Sequence, residues 1–267
     1  MMVLAGIEKR ALKSAQSLRE TQLIMGMPIT VELVGHRPDR EAMLADTFAH
    51  FTAIDEQFST YKGTSEISRF NRGECTEAEL SPDLRKIFAL GETTRLETRG
   101  FFDMRRPDGL IDPSGIVKGW AIRNAAEALR ARGFDNFYVE AGGDIQTAGI
   151  DARGLPWAIG IRSPFAVHEI VKVLFPRGKG VATSGTSIRG QHIYDPHAPS
   201  MPLTEVVSLT VIGPDILEAD RFATAAFAMG SAGIGFIERL DGFEGYEIQA
   251  NGMARATTGF AQLTATE

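Results

Sequence analysis

A single cysteine, Cys75, is present in 267 residues, so no disulfide framework is available to the fold. It sits between Glu74 and Glu77, an anionic setting unsuited to a reactive thiolate. No apolar run approaches the roughly 18 residues that a membrane-spanning helix requires. The opening Met1-Met2-Val3-Leu4-Ala5-Gly6-Ile7-Glu8-Lys9-Arg10 is too short and too soon charged for a signal segment, and no cysteine stands near it to carry a lipid. A cytoplasmic location and no membrane insertion are therefore the expectation. An excess of basic residues is also missing: 28 Lys and Arg against 34 Asp and Glu give a net charge of −6, which argues against a nucleic-acid partner. There is no long low-complexity linker and no repeat. The G-x-G-x-x-G dinucleotide fingerprint and the Walker loop are both absent, which makes a nicotinamide dehydrogenase or a P-loop enzyme a poor reading.

What is present is an ordinary globular composition, 43% hydrophobic and 23% charged, long enough for one large domain or two small ones. Residues 7–20 suggest a polar, exposed helix, and Ile29–Val34 alternates as a strand does. Leu44, Phe48, Phe51, Ile54 and Phe58 fall at helical spacing, predicting a buried helix over 40–58. Further helices are expected at 82–98, 117–132, 215–229 and 231–239. Strands are expected at 136–141, 156–162, 168–175 and 206–212, with a closing hairpin from 244–250 and 257–263. The interleaving lacks strict βαβ repetition and points to an α+β or mixed-sheet domain.

Several segments carry chemistry. Asp220 and Thr224 stand four apart in Ile216-Leu217-Glu218-Ala219-Asp220-Arg221-Phe222-Ala223-Thr224, so they share one face of an Ala-rich helix. Both are hard oxygen donors of the kind Mg²⁺ prefers. The bland alternative has the threonine bonded to its own backbone and the aspartate serving the helix terminus. Gly109-Leu110-Ile111-Asp112-Pro113-Ser114-Gly115-Ile116-Val117-Lys118-Gly119 packs a carboxylate, glycines and a lysine into a helix entry. It is either an anion-attracting turn or a Gly-rich start with a solvated lysine. Glu140-Ala141-Gly142-Gly143-Asp144 follows a strand and either cradles a ligand or simply turns the chain. Ala182-Thr183-Ser184-Gly185-Thr186-Ser187-Ile188-Arg189-Gly190-Gln191-His192-Ile193-Tyr194-Asp195-Pro196 reads as a loop rich in hydroxyls, with His192 either a candidate base or a structural histidine, and Asp195 its orienting partner or a turn residue before Pro196. The other histidines, His36, His50, His168 and His197, read as surface or packing residues. Phe58-Ser59-Thr60-Tyr61 through Asn71 is either a polar loop with one packed tyrosine or an aromatic platform for a planar ring.

In this order along the chain, these segments resemble the ApbE family, the FAD:protein FMN transferases. The likeness runs over roughly residues 25–230 and is carried by Ser59-Thr60-Tyr61 with Ser65 and Asn71, Phe102-Asp103, Asp112 through Gly119, Gly142-Gly143-Asp144, Thr183-Ser184-Gly185, His192 to Pro196, and Asp220 with Thr224. The resemblance implies an α+β fold of mixed, largely antiparallel sheet with packed helices, of the T-fold-like kind. It implies one flavin transferase domain over 23–267, after a helical extension over 1–22. It also implies Mg²⁺-dependent transfer of the FMN half of FAD to a Ser or Thr hydroxyl of a client protein carrying a Ser/Thr-Gly-Ala-Ser/Thr-like motif, with release of AMP. The implied metal ligands are Gly115 through its carbonyl, Asp220 and Thr224. Contacts to the flavin cofactor would fall on Met25, Tyr61, Phe101, Phe102, Asp103, Asp112, Lys118 and Ile193. His192 matches the family's base.

Two departures from the family pattern stand out. The stretch Met104–Gly109 is shorter than usual, and His197-Ala198 replaces the usual Thr-Gly after Asp195-Pro196. Two other readings use the same residues: hydrolysis of FAD to FMN and AMP, and a non-catalytic FAD-binding protein.

Overall fold

The computed structural model describes residues 16–166, 168–186 and 193–264. Its frame is an eight-stranded sheet in the order β1 (Ser17–Ile24), β2 (Met27–Val34), β3 (Phe137–Ala141), β4 (Asp144–Ala148), β7 (Gly180–Gly185), β8 (Val206–Gly213), β9 (Glu244–Gln249) and β10 (Ala254–Ala256). Every neighbouring pair in it is antiparallel. A separate ribbon pairs β5 (Ile159–Arg162) with β6 (Ile170–Leu174). Mixed α and β with an antiparallel sheet is the class the sequence predicted.

Six α-helices are described: α1 (Arg40–Phe58), α2 (Glu66–Asn71), α3 (Pro82–Glu97), α4 (Ser114–Ala131), α5 (Ile216–Ala228) and α6 (Gly233–Ile237). They cover one face of the sheet. Phe48, Phe51, Ile54 and Phe58 of α1 meet Ile116, Ile122 and Leu129 of α4, Phe222 and Phe227 of α5, and Val31, Val139 and Leu209 from the strands in one core. On the opposite face Ile145, Val181, Ile212, Tyr246 and Ile248 pack against the β5–β6 ribbon and against Phe260 and Leu263 of a closing 3-10 turn. The sheet is thus buried on both faces at its centre, which is why β8 reads as a nearly continuous apolar run. Among the described residues no helix is long and apolar enough to cross a membrane.

Three expectations are corrected. In its described part the segment 7–20 is not helical: Ser17–Ile24 form edge strand β1, fully paired with β2, so the boundary at residue 22 falls inside a strand. Residues 1–15 lie outside the described set. The polar sequence of β1 reflects an edge strand with little burial. The second strand of the closing hairpin is Ala254–Ala256, and 257–263 instead ends in the 3-10 turn Phe260–Leu263. The segment read as a loop from Ala182 begins as strand β7, paired to both β4 and β8.

α1 and α4 meet at His50, whose ring N–H donates to the Ala121 carbonyl at 3.1 Å. Burial pushes this imidazole below its ordinary value of 6.5, with the Ala121 carbonyl opposing. The unfolded chain therefore binds the proton more readily. The stability contributed by neutral His50 is complete above that ordinary value and drains away as pH falls below it. Between about pH 7.5 and about pH 5, wild type is expected to lose more melting temperature than His50→Gln, which keeps a donor but cannot ionise. Parallel thermal melts at the two pH values check this.

Candidate active site

α5 is set by Asp215, whose side chain accepts the Glu218 N–H at 3.0 Å as an N-cap. The terminus being served by Asp215, Asp220 is left for another task. It is 2% exposed, and its Oδ2 accepts the backbone N–H of Gly119 in α4 at 2.9 Å. α4 and α5 approach closely because Gly119 has no side chain. A Cβ there would stand 2.8 Å from Asp220 Cβ and 2.9 Å from the Ile216 carbonyl oxygen. Thr224, one turn on, makes no hydrogen bond among the described residues through its hydroxyl and faces an open cleft. Thr47 and Thr94, by contrast, do bond back to their own helices.

Behind Asp220 lies a buried charge cluster. Lys118 Nζ contacts Asp220 Oδ1 at 3.1 Å and also pairs with Asp144 Oδ2. Asp144 opens β4 after the Gly142-Gly143 hairpin turn, where both glycines have positive φ (58° and 97°). Its second oxygen accepts the Thr183 N–H at 3.0 Å, joining β4 to β7. Burial disfavours the charge on Lys118, but the Asp144 and Asp220 carboxylates outweigh it and hold the ammonium protonated. Burial pushes the Asp220 carboxyl up to about 7, against the pull of Lys118 and with the push of Asp144. With both carboxylates ionised, two negative groups share one ammonium, a setting that attracts a further cation.

The turn before α4 is held from outside. Asn71, at the end of α2, donates to the Ile111 carbonyl at 2.9 Å and accepts the Ile111 N–H at 2.8 Å. Asp112 then accepts the Ser114 N–H at 3.0 Å. Gly115 lies under the Phe102 ring, where a Cβ would stand 2.9 Å from Phe102 Cε2 and 3.6 Å from the Thr224 methyl. The residue-112 turn and the helix of Asp220 and Thr224 therefore meet directly.

They meet in a cleft of about 450 Å³. It is lined by Phe101, Phe102, Asp103, Asp112, Gly115, Lys118, Ile193, Asp220 and Thr224, all singled out in the sequence. Gly142, Thr183, Ser184 and Gly185 close its floor. Tyr61 and Met25 are not part of this lining. Tyr61 is 98% exposed, so it is no packed ring. Met25, with φ of 56°, turns β1 into β2 at the sheet end that also carries Gly142, whose N–H donates to the Pro28 carbonyl at 3.2 Å. His192 lies outside the described residues. Asp144 did not stand among the site residues predicted from the sequence. Its signal there was only the Gly-Gly-Asp turn, since the strand pairing that aims it at Lys118 joins residues far apart in the chain.

His197, read as a surface or packing residue, packs. Its ring meets Phe101 edge-on at 4.7 Å, and its Nε2 contacts the Arg99 carbonyl at 3.1 Å. It staples the segment carrying Ile193 and Tyr194 to the Phe101–Asp103 wall. His197→Ala is expected to weaken binding of a cleft ligand roughly fivefold with little change in melting temperature. Ligand titration beside a thermal melt reads both.

Among the described residues no group of three or more His, Cys, Asp or Glu is arranged to hold a metal. A hard cation here would be held by a mixed set: the Asp220 carboxylate, the Thr224 hydroxyl and a backbone carbonyl. Gly119's N–H is the formal helical partner of the Gly115 carbonyl, and it serves Asp220. Such a sparse set suits Mg²⁺, which takes one or two carboxylates and completes its shell with water and phosphate oxygens.

The comparisons with known proteins bear on the family and the fold. The ApbE family model matches residues 25–106 and 104–246. The chain is 25% identical to the FAD:protein FMN transferase of Vibrio cholerae serotype O1 over 291 aligned positions, covering 86% of this chain and 85% of that protein. The solved flavin transferase ApbE from Vibrio cholerae shares the fold at a TM-score of 0.82, with 23% identity over 93% of this chain and 99% of that one. The ApbE protein of Thermotoga maritima does so at 0.83, with 20% identity over 94% and 100%. With the family model spanning most of its length and the same architecture in both structures, the chain belongs to the ApbE family.

Proposed function

We propose that this transferase moves the FMN half of FAD onto a Ser or Thr hydroxyl of a client flavoprotein and releases AMP, with Mg²⁺ held by Asp220, Thr224 and the Gly115 carbonyl. The observation that carries the reading is the meeting of the residue-112 turn with α5 at one cleft, where the Asp220 carboxylate bridges to Gly119 and the Thr224 hydroxyl has no hydrogen bond among the described residues. Bound there, the cation would neutralise charge on the diphosphate oxygens of FAD.

In the reaction the client hydroxyl oxygen bonds to the phosphorus of the FMN phosphate. The bond from that phosphorus to the bridging oxygen breaks, and AMP leaves with the electron pair. The hydroxyl proton passes to a base, the role that resemblance gives His192, and losing such a base costs about 10²–10⁴ in rate. The chain's own contribution is mainly placement. Phe101, Phe102 and Ile193 offer apolar walls for a ring system. Asp144 and Lys118 fix the Asp220 carboxylate from behind. The Ser59–Ser65 loop, tied by Ser65 to the Ser59 carbonyl at 2.6 Å, leads into α2, whose Asn71 holds the Asp112 turn.

Incubation with FAD, Mg²⁺ and a client bearing a Ser/Thr-Gly-Ala-Ser/Thr-like motif is expected to add the mass of one FMN to the client. Release of FMN and AMP at the same rate without any client would instead make the protein a hydrolase, and intact FAD after prolonged incubation would make it a binding protein.

A further inference from the structure

We propose that Arg106, rather than Lys118, is the cation of this cleft that engages the diphosphate of FAD, and that it does so in competition with Asp108. This rests on the reading of FAD as the substrate.

A dianionic diphosphate entering the cleft meets the carboxylates of Asp103, Asp112 and Asp220. Among the described lining residues only Lys118 and Arg106 are cationic. Lys118 is already committed. Its side chain is 17% exposed and lies between Asp144 and Asp220. Two carboxylates more than balance its charge, so Lys118 itself has no free charge to offer a phosphate.

Arg106 differs in each respect. It stands in the short Met104–Gly109 segment. Its backbone N–H donates to the Leu110 carbonyl at 2.8 Å, and its own carbonyl accepts the Gly109 N–H at 2.9 Å. Arg105 and Ile111 form a bridge beside it, so the turn is a fixed hairpin. The guanidinium is 45% exposed and among the described residues has one ionic partner, Asp108 Oδ2 at 2.7 Å, itself 45% exposed. An exposed pair of this kind is worth little and is exchanged readily for a better anion. A guanidinium fork matches phosphate oxygens in a bidentate way that an ammonium does not. Arg106 lines the same cleft as Asp103 and Tyr194.

The chemistry gives this cation a use beyond binding. The neutral hydroxyl and dianionic FAD yield a monoanionic phosphodiester, dianionic AMP and one proton. Negative charge therefore grows on the departing phosphate, and a neighbouring cation stabilises that change.

The test is binding of FAD and of riboflavin, which lacks phosphate, to wild type, Arg106→Gln, Arg106→Lys and Asp108→Asn, read by flavin fluorescence beside a thermal melt. Arg106→Gln is expected to weaken FAD about tenfold and leave riboflavin unchanged. Arg106→Lys is expected to recover part of the loss. Asp108→Asn, which frees the guanidinium, is expected to tighten FAD a few-fold, roughly the worth of an exposed ion pair. Unchanged FAD affinity in Arg106→Gln, or equal loss of both ligands, overturns the proposal while leaving FAD as substrate intact. If wild type binds neither ligand, it is the functional reading that fails.

Discussion

Asp220→Ala is expected to lower flavin transfer by about 10³-fold or more while the protein stays folded. The size follows from the role: a carboxylate that fixes a cation beside a reacting phosphate supplies several kcal/mol of charge stabilisation that water does not replace. Survival of the fold follows from the surroundings. The substitution leaves the Gly119 N–H unpaired, at a cost of about 1–3 kcal/mol. It also removes one of two carboxylates crowded around a single buried ammonium, which offsets part of that cost. Asp220→Asn sharpens the test, because an amide oxygen still accepts from Gly119 while the charge is gone. Transfer rates beside thermal melts decide it. An Asn variant within a few-fold of wild type would show that the carboxylate only braces α4 against α5.

Lys118→Met is the second large effect, and it falls first on stability. Asp144 and Asp220 are almost fully buried, and without the ammonium they face each other uncompensated. Breaking a buried pair in this way costs about 3–5 kcal/mol, or on the order of 10 °C in melting temperature for a chain of this size. The sign of its pH dependence is fixed. In the variant the Asp220 carboxyl, already pushed up by burial, loses the opposing pull of Lys118 and rises further, so its contribution is present at low pH and lost as pH rises. The gap between wild type and variant is therefore expected to be small near pH 5 and large near pH 8. In wild type the raised Lys118 value makes its contribution complete below the ordinary 10.5 and lost as pH rises from there through the folded value. A gap that does not change with pH would mean the lysine stem, through packing, is what matters.

Physical reasons separate what could be read from the sequence and what could not. α1 and α3 were legible because each buries one periodic stripe, and Ser81 before Pro82 marks the α3 start as an N-cap accepting the Leu84 N–H at 3.2 Å. β8 was legible as a long apolar run. β7 was not. Gly180-Val181-Ala182-Thr183-Ser184-Gly185 is a strand of small residues whose identity comes from β4 and β8 on either side, and no local pattern records that. β1 failed for a related reason, since an exposed edge strand and a polar helix look alike in composition. At the site, Asp220 and Thr224 stood out because their spacing is local. Asp144 and Arg106 did not, because one acts through a lysine 26 residues away and the other through the width of a cleft.

Burial also hid the clamp that orients α5. Arg221, beside Asp220, turns away from the cleft to bind Glu218 and, on α3, Glu97 and Thr94. Burial opposes its charge, but the bonds from Glu218 and Glu97 prevail and keep the guanidinium ionised. Adjacent residues on α5 thus face opposite ways, one fixing the helix and the other serving the cleft.

The central claim is that oxygen donors from α4 and α5 hold one divalent cation beside the diphosphate of FAD. Titration of Mn²⁺ into the FAD-bound protein, followed by electron paramagnetic resonance, tests it most directly. A single ion bound by wild type, lost in Asp220→Asn and weakened in Thr224→Val, is the predicted result. Equal Mn²⁺ binding by wild type and Asp220→Asn, or none by either while FAD remains bound, would contradict it.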